Sequence, residues 1–253
     1  MHTTTIHPAG RSAAQWTRDV ISLFKLRIGV LIMITALVGM AVSPGPAPSL
    51  VQVLVLALSV LIASASAGAF NQYVEHESDR LMARTRKRAF ATGALPHHPA
   101  WLALMAVLLA GAVASAWLVL NAAAALYVFL GAFFYGVVYT LWLKRRTALN
   151  IVIGGLAGSF AVLAGAAAID PTLGPLPVLL ALVLFLWTPP HFWSLAIANK
   201  ADYAQAGVPM LPVVVGTERA ARIVLGSTVA LFVASLLPLG FGAGPVYAVG
   251  ALV

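Results

Sequence analysis

Residues 50–79 read LVQVLVLALSVLIASASAGAFNQYVEHESD. The segment up to Phe70 is apolar and long enough to cross a bilayer, because about 20 helical residues span the hydrocarbon core. Polar residues begin abruptly at Asn71 and include three carboxylates. An apolar span that ends in ionisable groups predicts a membrane helix with a polar site at one of its ends.

The rest of the chain has the same apolar character. Of its 253 residues, 61% are hydrophobic and only 9% are charged. Further windows long enough to span a bilayer lie near residues 26–42, 100–120, 122–143, 149–169, 176–198 and 220–241. Since these windows have no polar face, the sequence excludes a soluble helical protein and predicts an all-α, polytopic transmembrane helix bundle with seven full helices.

The last residues form a shorter apolar stretch. From Gly242 to Val253 the chain is too short to cross a bilayer. We therefore expect part of an eighth helix here, and we interpret residues 1–253 as one transmembrane domain that is truncated at its C-terminus.

The basic residues lie on one side of the predicted bundle. All fifteen Lys and Arg fall in the N-terminal arm up to Arg27 and in the alternate connections 71–99, 144–148 and 199–222. This positive-inside pattern predicts that the N-terminus and the three basic connections face the cytoplasm, and the composition is typical of a bacterial plasma membrane protein. The formal net charge of +8 does not indicate nucleic-acid binding, because the basic residues are tied to helix ends.

Asn71, Glu75 and Asp79 form the first candidate site. Residues four apart drift by only about 40° per step around a helix, so their oxygens point the same way. Hard oxygen ligands suit Mg²⁺, which can hold an anionic head group such as a diphosphate. We interpret the three as catalytic metal ligands; the alternative is a polar helix end that simply enters water.

Two further groups extend this candidate site. Arg84 and Arg88 follow the carboxylates and can neutralise a diphosphate leaving group, although basic residues in such a loop can also serve topology alone. Asp202 is the candidate fourth metal ligand. Its helix end, residues 198–203, is loosely similar to residues 70–75, which indicates either an internal repeat or a chance likeness.

His191 lies inside the sixth apolar window. An ionisable group within a membrane helix is a functional candidate, and imidazole can ligate a haem iron or move a proton. The alternative is a buried histidine that is hydrogen-bonded to a neighbour.

Five blocks within residues 20–220 match motifs of a known family. They are Asn71-Gln72-Tyr73-x-Glu75-x3-Asp79-Arg80-x-Met82-x-Arg84-Thr85, Tyr139-Thr140-x-Trp142-Leu143-Lys144-Arg145, Asn150-Ile151-Val152-Ile153-Gly154-Gly155, Trp187-Thr188-Pro189-Pro190-His191-Phe192-Trp193 and Asp202-Tyr203-x-x-Ala206-Gly207-Val208-Pro209-Met210-Leu211-Pro212. On these blocks the chain resembles the UbiA superfamily of intramembrane prenyltransferases, and within it the branch that farnesylates haem. Ala206 departs from the pattern, since many superfamily members have an aspartate there.

The resemblance implies nine helices around a central cavity and a Mg²⁺-dependent transfer of farnesyl from farnesyl diphosphate to a vinyl group of haem b. Asn71, Glu75 and Asp79 match the first acidic motif, and Asp202 matches the first acid of the second. The implied partners are farnesyl diphosphate, haem b, the lipid bilayer and haem-handling enzymes of the same pathway, with no nucleic acid.

The remaining site residues follow from that reaction. An allylic cation needs a dry cavity with aromatic faces, for which Tyr73 and Trp142 are candidates. His191 is expected to orient the haem, while Lys144 or Lys200 pairs with its propionates. Two alternatives stay open: a prenyltransferase with a quinone-type aromatic acceptor, and a transporter, whose ionisable groups would lie nearer the bilayer midplane.

Overall fold

The described residues, 12–252, are helical throughout apart from their connections. In this computed structural model the helices are, in chain order, α1 (Ala13–Leu23), α2 (Leu26–Ala41), α3 (Leu50–Val74), α4 (His76–Arg80), α5 (Ala100–Val119), α6 (Ala122–Phe133) with its π-helical continuation Phe134–Leu143, α7 (Asn150–Gly154), α8 (Leu156–Ala167), α9 (Pro175–Ala198), α10 (Lys200–Gln205), α11 (Leu211–Val215), α12 (Thr217–Leu236) with a 3₁₀ turn Leu237–Phe241, and α13 (Pro245–Leu252). Arg11, counted above in the basic N-terminal arm, lies outside the described residues.

The predicted transmembrane bundle is confirmed. Within residues 12–252, seven helical stretches are long and apolar enough to cross a membrane: Ala13–Ala41, Leu50–Val74, Ala100–Val119, Ala122–Leu143, Asn150–Ala167, Pro175–Ala198 and Thr217–Phe241. They coincide with the seven predicted windows to within a few residues, except that the first begins earlier because α1 precedes α2. The chain is therefore a multi-pass membrane protein.

Short turns at the end of the bundle that carries no Lys or Arg join neighbouring helices. α2 packs against α3, α5 against α6 and α8 against α9. Ser49 begins α3 with a capping box, since its hydroxyl accepts from the Gln52 N–H and the Gln52 side chain accepts from the Ser49 N–H. Asn121 caps α6 and also donates to the Ala167 carbonyl at 2.7 Å, which ties this turn to the end of α8.

α2 and α8 cross at glycine, which allows their backbones to come close. A Cβ added to Gly165 would lie 1.8 Å from the Ala36 carbonyl oxygen, and one on Gly39 would lie 2.2 Å from the Val162 carbonyl oxygen. Small residues at helix crossings let membrane helices pack by van der Waals contact, in the absence of a hydrophobic driving force between them. α8 also contacts α6 and α9, so it lies centrally in the bundle.

The basic connections lie together at the other end. α3 runs toward this end and is followed by α4 and the loop 81–99, while the π-helical segment also ends here, at Leu143. Lys25, at the start of α2, lies on the same side. The candidate site is therefore built where three spanning segments and one long loop meet.

Candidate active site

The stripe of oxygen donors is buried and shares one face. α3 ends at Val74, yet Glu75 N–H donates to the Asn71 carbonyl at 3.0 Å and Asp79 N–H donates to the Glu75 carbonyl at 2.8 Å. The helical register thus continues into α4. The three residues are only 3%, 2% and 3% exposed, and the Asn71 amide donates to Glu75 Oε2 at 2.8 Å.

Arg88 and Lys144, both candidate site residues from the sequence, contact these carboxylates. Arg88 Nη1 lies 2.9 and 2.8 Å from the two carboxylate oxygens of Asp79. Lys144 Nζ lies 2.5 Å from the Glu75 carboxylate. Since these pairs are mostly shielded from water, their charges are only weakly screened. The structure thus brings together five of the residues that the sequence singled out.

The loop after α4 folds back to bring Arg88 to Asp79. The Thr85 hydroxyl donates to the Asp79 carbonyl at 3.1 Å, and Arg80 Nε donates to the Ala91 carbonyl at 2.9 Å. Thr85 is buried, whereas Arg84 is exposed and forms no ion pair with another residue of 12–252. The contact of Arg84 with the diphosphate therefore stays a prediction.

Lys25 is a third cation at the site, and sequence reasoning did not single it out. Its Nζ donates to Asn71 Oδ1 at 2.8 Å and to the Tyr135 hydroxyl at 3.2 Å. Its backbone lies in the left-handed region at φ 48° and ψ 42°, which costs a non-glycine residue about 1 kcal/mol. The available signal was a lysine directly at the edge of an apolar window.

The π-helical segment supplies two aromatic rings and a hydroxyl. Tyr135 and Tyr139 stack with ring centroids 5.8 Å apart, and Lys144 Nζ lies 5.8 Å from the Tyr139 centroid. The Thr140 hydroxyl accepts from the Asn71 amide at 3.2 Å. Gly154 leaves room for Tyr139, because a Cβ there would lie 2.8 Å from the ring.

Tyr73 and Trp142, expected to line the cavity, lie elsewhere. Tyr73 is two residues beyond Asn71, about 200° around α3, so it faces away from the stripe. It stacks on His97 with centroids 3.8 Å apart and packs edge-on to Phe90. Trp142 is 55% exposed, on the outer surface of the helix bundle. The aromatic faces beside the carboxylates belong instead to Tyr135 and Tyr139.

Among the described residues, Asp202, Lys200 and His191 make no hydrogen bond or ion pair with the stripe. Asp202 is half-buried at the start of α10, and Lys200 Nζ lies 3.4 Å from the Thr217 hydroxyl. His191 stacks on Trp187, with ring centroids 4.2 Å apart, on an exposed face of α9. The rotation of α9 about its axis, set by packing on α8 and α12, places His191 outside the packed core.

The donor set at the stripe is suited to Mg²⁺ that is shared with a phosphate. Within residues 12–252, no three His, Cys, Asp or Glu side chains lie close enough to enclose a metal ion by themselves. The stripe offers two carboxylates and one amide oxygen. Mg²⁺ is commonly held by one or two carboxylates together with substrate phosphates, so these residues fit the ion.

Comparisons with known proteins identify the family. A family model described as the UbiA prenyltransferase family matches residues 32–253. The chain is 58% identical over 226 residues to protoheme IX farnesyltransferase 2 of Paramagnetospirillum magneticum, covering 89% of this chain and 78% of the relative. It is 40% identical over 247 residues to protoheme IX farnesyltransferase of Granulibacter bethesdensis, covering 97% and 76%.

Solved structures support the same fold. A UbiA homologue from Archaeoglobus fulgidus bound to GPP and Mg²⁺ superposes with a TM-score of 0.77, at 19% identity, covering 92% of this chain and 82% of that one. A homologue from Aeropyrum pernix superposes with a TM-score of 0.66, at 24% identity, covering 93% and 84%. At these identities the likeness concerns the fold.

Proposed function

The chain belongs to the UbiA prenyltransferase family, and on that premise we propose that it transfers the farnesyl group of farnesyl diphosphate to a vinyl group of haem b, which gives haem O. Relatives named protoheme IX farnesyltransferase, 40% to 58% identical over most of the chain, support the choice of substrates. The observation that carries the chemistry is the buried stripe of Asn71, Glu75 and Asp79 with cations against it.

The stripe is proposed to hold Mg²⁺. Asn71, Glu75 and Asp79 supply hard oxygen donors on one face, and Asp202 is proposed as a further ligand from the second loop. When bound, the ion supplies positive charge that stabilises the leaving diphosphate. The homologue bound to GPP and Mg²⁺ supports this assignment.

The chain's own cations act on the same group. Arg88 and Lys144 are held beside the carboxylates, within reach of a diphosphate placed there, with Arg84 proposed as an additional contact from the exposed loop. Preorganised positive charge stabilises the negative charge that develops as the bond to the leaving group breaks. We assign Lys144 to the diphosphate rather than to a haem propionate, because it already faces Glu75.

The transfer itself breaks the bond between farnesyl C1 and the diphosphate oxygen, and the diphosphate leaves with the electron pair. The vinyl π electrons form the new carbon–carbon bond, and water adds to the resulting cation and loses a proton, which gives a hydroxyethylfarnesyl side chain. Tyr135 and Tyr139 present ring faces beside this step, where the quadrupole of an aromatic ring attracts an allylic cation.

Haem contacts are proposed on the exposed face of α9. His191 and Trp187 form a flat stacked pair there, and Lys200 lies just beyond the inner end of that helix. A tetrapyrrole along this face would meet an aromatic surface, an imidazole and a cation for a propionate. In the proposed setting, a bacterial plasma membrane, this site faces the cytoplasm.

Product mass tests the substrate assignment. Purified protein in lipid nanodiscs is incubated with farnesyl diphosphate, Mg²⁺ and either haem b or a quinone-type aromatic acceptor. We expect a farnesylated haem carrying added water. If only the aromatic acceptor is prenylated, a quinone-type acceptor replaces haem in the assignment. If no prenylated product forms, the enzymatic proposal is contradicted and a transporter is favoured.

A matched pair of variants tests the site. Asp79→Ala is expected to abolish product formation, whereas Glu77→Gln, which alters an exposed carboxylate on the same short helix, is expected to retain it. Arg88 is 21% exposed in its pair with Asp79, so the Asp79→Ala protein should remain folded in detergent. Undiminished turnover by folded Asp79→Ala would remove the stripe from the mechanism.

A further inference from the structure

Lys25 has an unusual backbone at the junction of α1 and α2. Within residues 12–252, only Lys25 and Leu173 combine a side chain with a positive φ. Such a conformation persists where the surroundings impose it, and it concentrates at functional sites. Specific contacts therefore hold Lys25 in this conformation at the junction.

α3 holds the junction with residues next to the stripe. The Gln72 side-chain amide donates to the Ser22 carbonyl at 3.3 Å and to the Leu23 carbonyl at 2.8 Å, at the C-terminal end of α1. A Cβ on Gly68 would lie 3.4 Å from Lys25 Cδ, so the aliphatic part of Lys25 lies against bare α3 backbone. Asn71 then receives the ammonium group. Residues on consecutive turns of α3 thus direct the Lys25 side chain toward the site.

Lys25 differs from the other two cations in what it faces. Arg88 and Lys144 each contact a carboxylate. The two hydrogen-bond partners of Lys25 Nζ are neutral, the Asn71 amide oxygen and the Tyr135 hydroxyl. A partly buried charge is costly unless an opposite charge compensates it. Lys25 thus points into the site without direct contact to a carboxylate of the described residues.

We propose that Lys25 binds the diphosphate of the prenyl substrate directly and is a substrate-contacting residue of this enzyme. The inference rests on the proposed function, because the diphosphate would supply the directly contacting negative group that Lys25 does not have in Asn71 or Tyr135. Asn71 and Tyr135 hold the ammonium in place before the substrate arrives. Gln72 and Gly68 act as positioning residues for it.

Binding of inorganic pyrophosphate with Mg²⁺ tests the proposal without reference to turnover. Calorimetry on protein in nanodiscs gives the dissociation constant, and thermal unfolding with and without the probe gives the stabilisation. Lys25→Gln removes the charge but keeps a donor for Asn71, so it is expected to fold. We expect its affinity to fall by about tenfold or more, because a hydrogen bond to a charged group is lost.

Two variants separate the outcomes. Lys25→Arg restores a cation and should recover most of the affinity, while Lys87→Gln removes an exposed basic residue and should bind as the wild type does. If Lys25→Gln is less stable but binds the probe with unchanged affinity, Lys25 is only structural and the proposal is overturned. If the wild type itself fails to bind the probe, the proposed diphosphate site falls, and the assignment of Lys25 falls with it.

Discussion

Glu75 forms an ion pair with Lys144 that is largely shielded from water. Its side chain is 3% exposed and that of Lys144 is 12% exposed, and the two charged groups touch. Removal of one partner of such a pair leaves the other charge shielded from water and uncompensated, which costs about 3–5 kcal/mol. Glu77, two residues along, is 66% exposed and pairs with Arg80 at the surface.

The two glutamates therefore predict different losses of stability. Glu75→Gln should lower the free energy of unfolding by about 3 kcal/mol, whereas Glu77→Gln should change it by less than about 0.5 kcal/mol, because exposed ion pairs contribute little. Thermal unfolding of both variants in the same detergent measures the difference. Equal unfolding temperatures would show that Glu75 is not held in a desolvated pair.

At the scale of single residues, the sequence predicted the stripe but not the position of Lys25 beside it. Spacing by four was enough to place Asn71, Glu75 and Asp79 on one face, because helical periodicity is local. Lys25 was counted only as a topology determinant, since its direction depends on contacts with Gln72 and Gly68, far along the chain. The position of His191 depended in the same way on how α9 packs.

The π-helical segment is the element that completes the site. In an α-helix, at about 100° per residue, Tyr135 and Lys144 would lie about 180° apart. The segment instead makes i to i+5 hydrogen bonds, such as Lys144 N–H to the Tyr139 carbonyl at 2.9 Å. This wider winding lets Thr140 and Lys144 reach Asn71 and Glu75 at the end of α3, while the Tyr135 hydroxyl accepts from Lys25 at the start of α2.

The hydropathy windows could not reveal that change of winding, nor the break between α1 and α2. Both are irregularities inside apolar stretches, and tertiary contacts decide them. The window boundaries were predicted well because length and apolarity alone determine a span. The crossing of α2 and α8 was missed for a related reason, since Gly39 and Gly165 stand in different helices and form no motif.

That crossing makes a prediction at the level of the helix pair. Gly165→Ala should destabilise the protein by about 1–3 kcal/mol, because the added Cβ would meet backbone atoms of α2, and these atoms cannot move without the rest of the helix. Gly111→Ala, on α5, has no neighbouring atom within 4 Å and should be neutral or stabilising by up to about 1 kcal/mol. Thermal unfolding compares them, and a tolerated Gly165→Ala would contradict the close crossing.

For the whole molecule, the basic connections and the candidate site occupy the same end of the bundle. The positive-inside pattern predicts that this end faces the cytoplasm. The substrate head group would then be met at the inner surface of the membrane.

Cysteine labelling tests this orientation directly, because the chain has no cysteine of its own. Thr172→Cys, in the exposed turn before α9, should react with a membrane-impermeant maleimide on intact spheroplasts. Arg146→Cys, in the exposed turn after the π-helical segment, should react only after permeabilisation. The reverse pattern would invert the topology and place the site outside the cell.

The charges gathered at the stripe have a consequence for the order of events. The two carboxylates there contact or adjoin the side chains of Arg88, Lys144 and Lys25, so the protein itself compensates their negative charge. A divalent ion arriving alone would compete with these side chains for the carboxylates, and a diphosphate arriving alone would bring negative charge next to those carboxylates. We therefore expect ion and head group to enter as a preformed complex, with neither partner saturating the protein by itself.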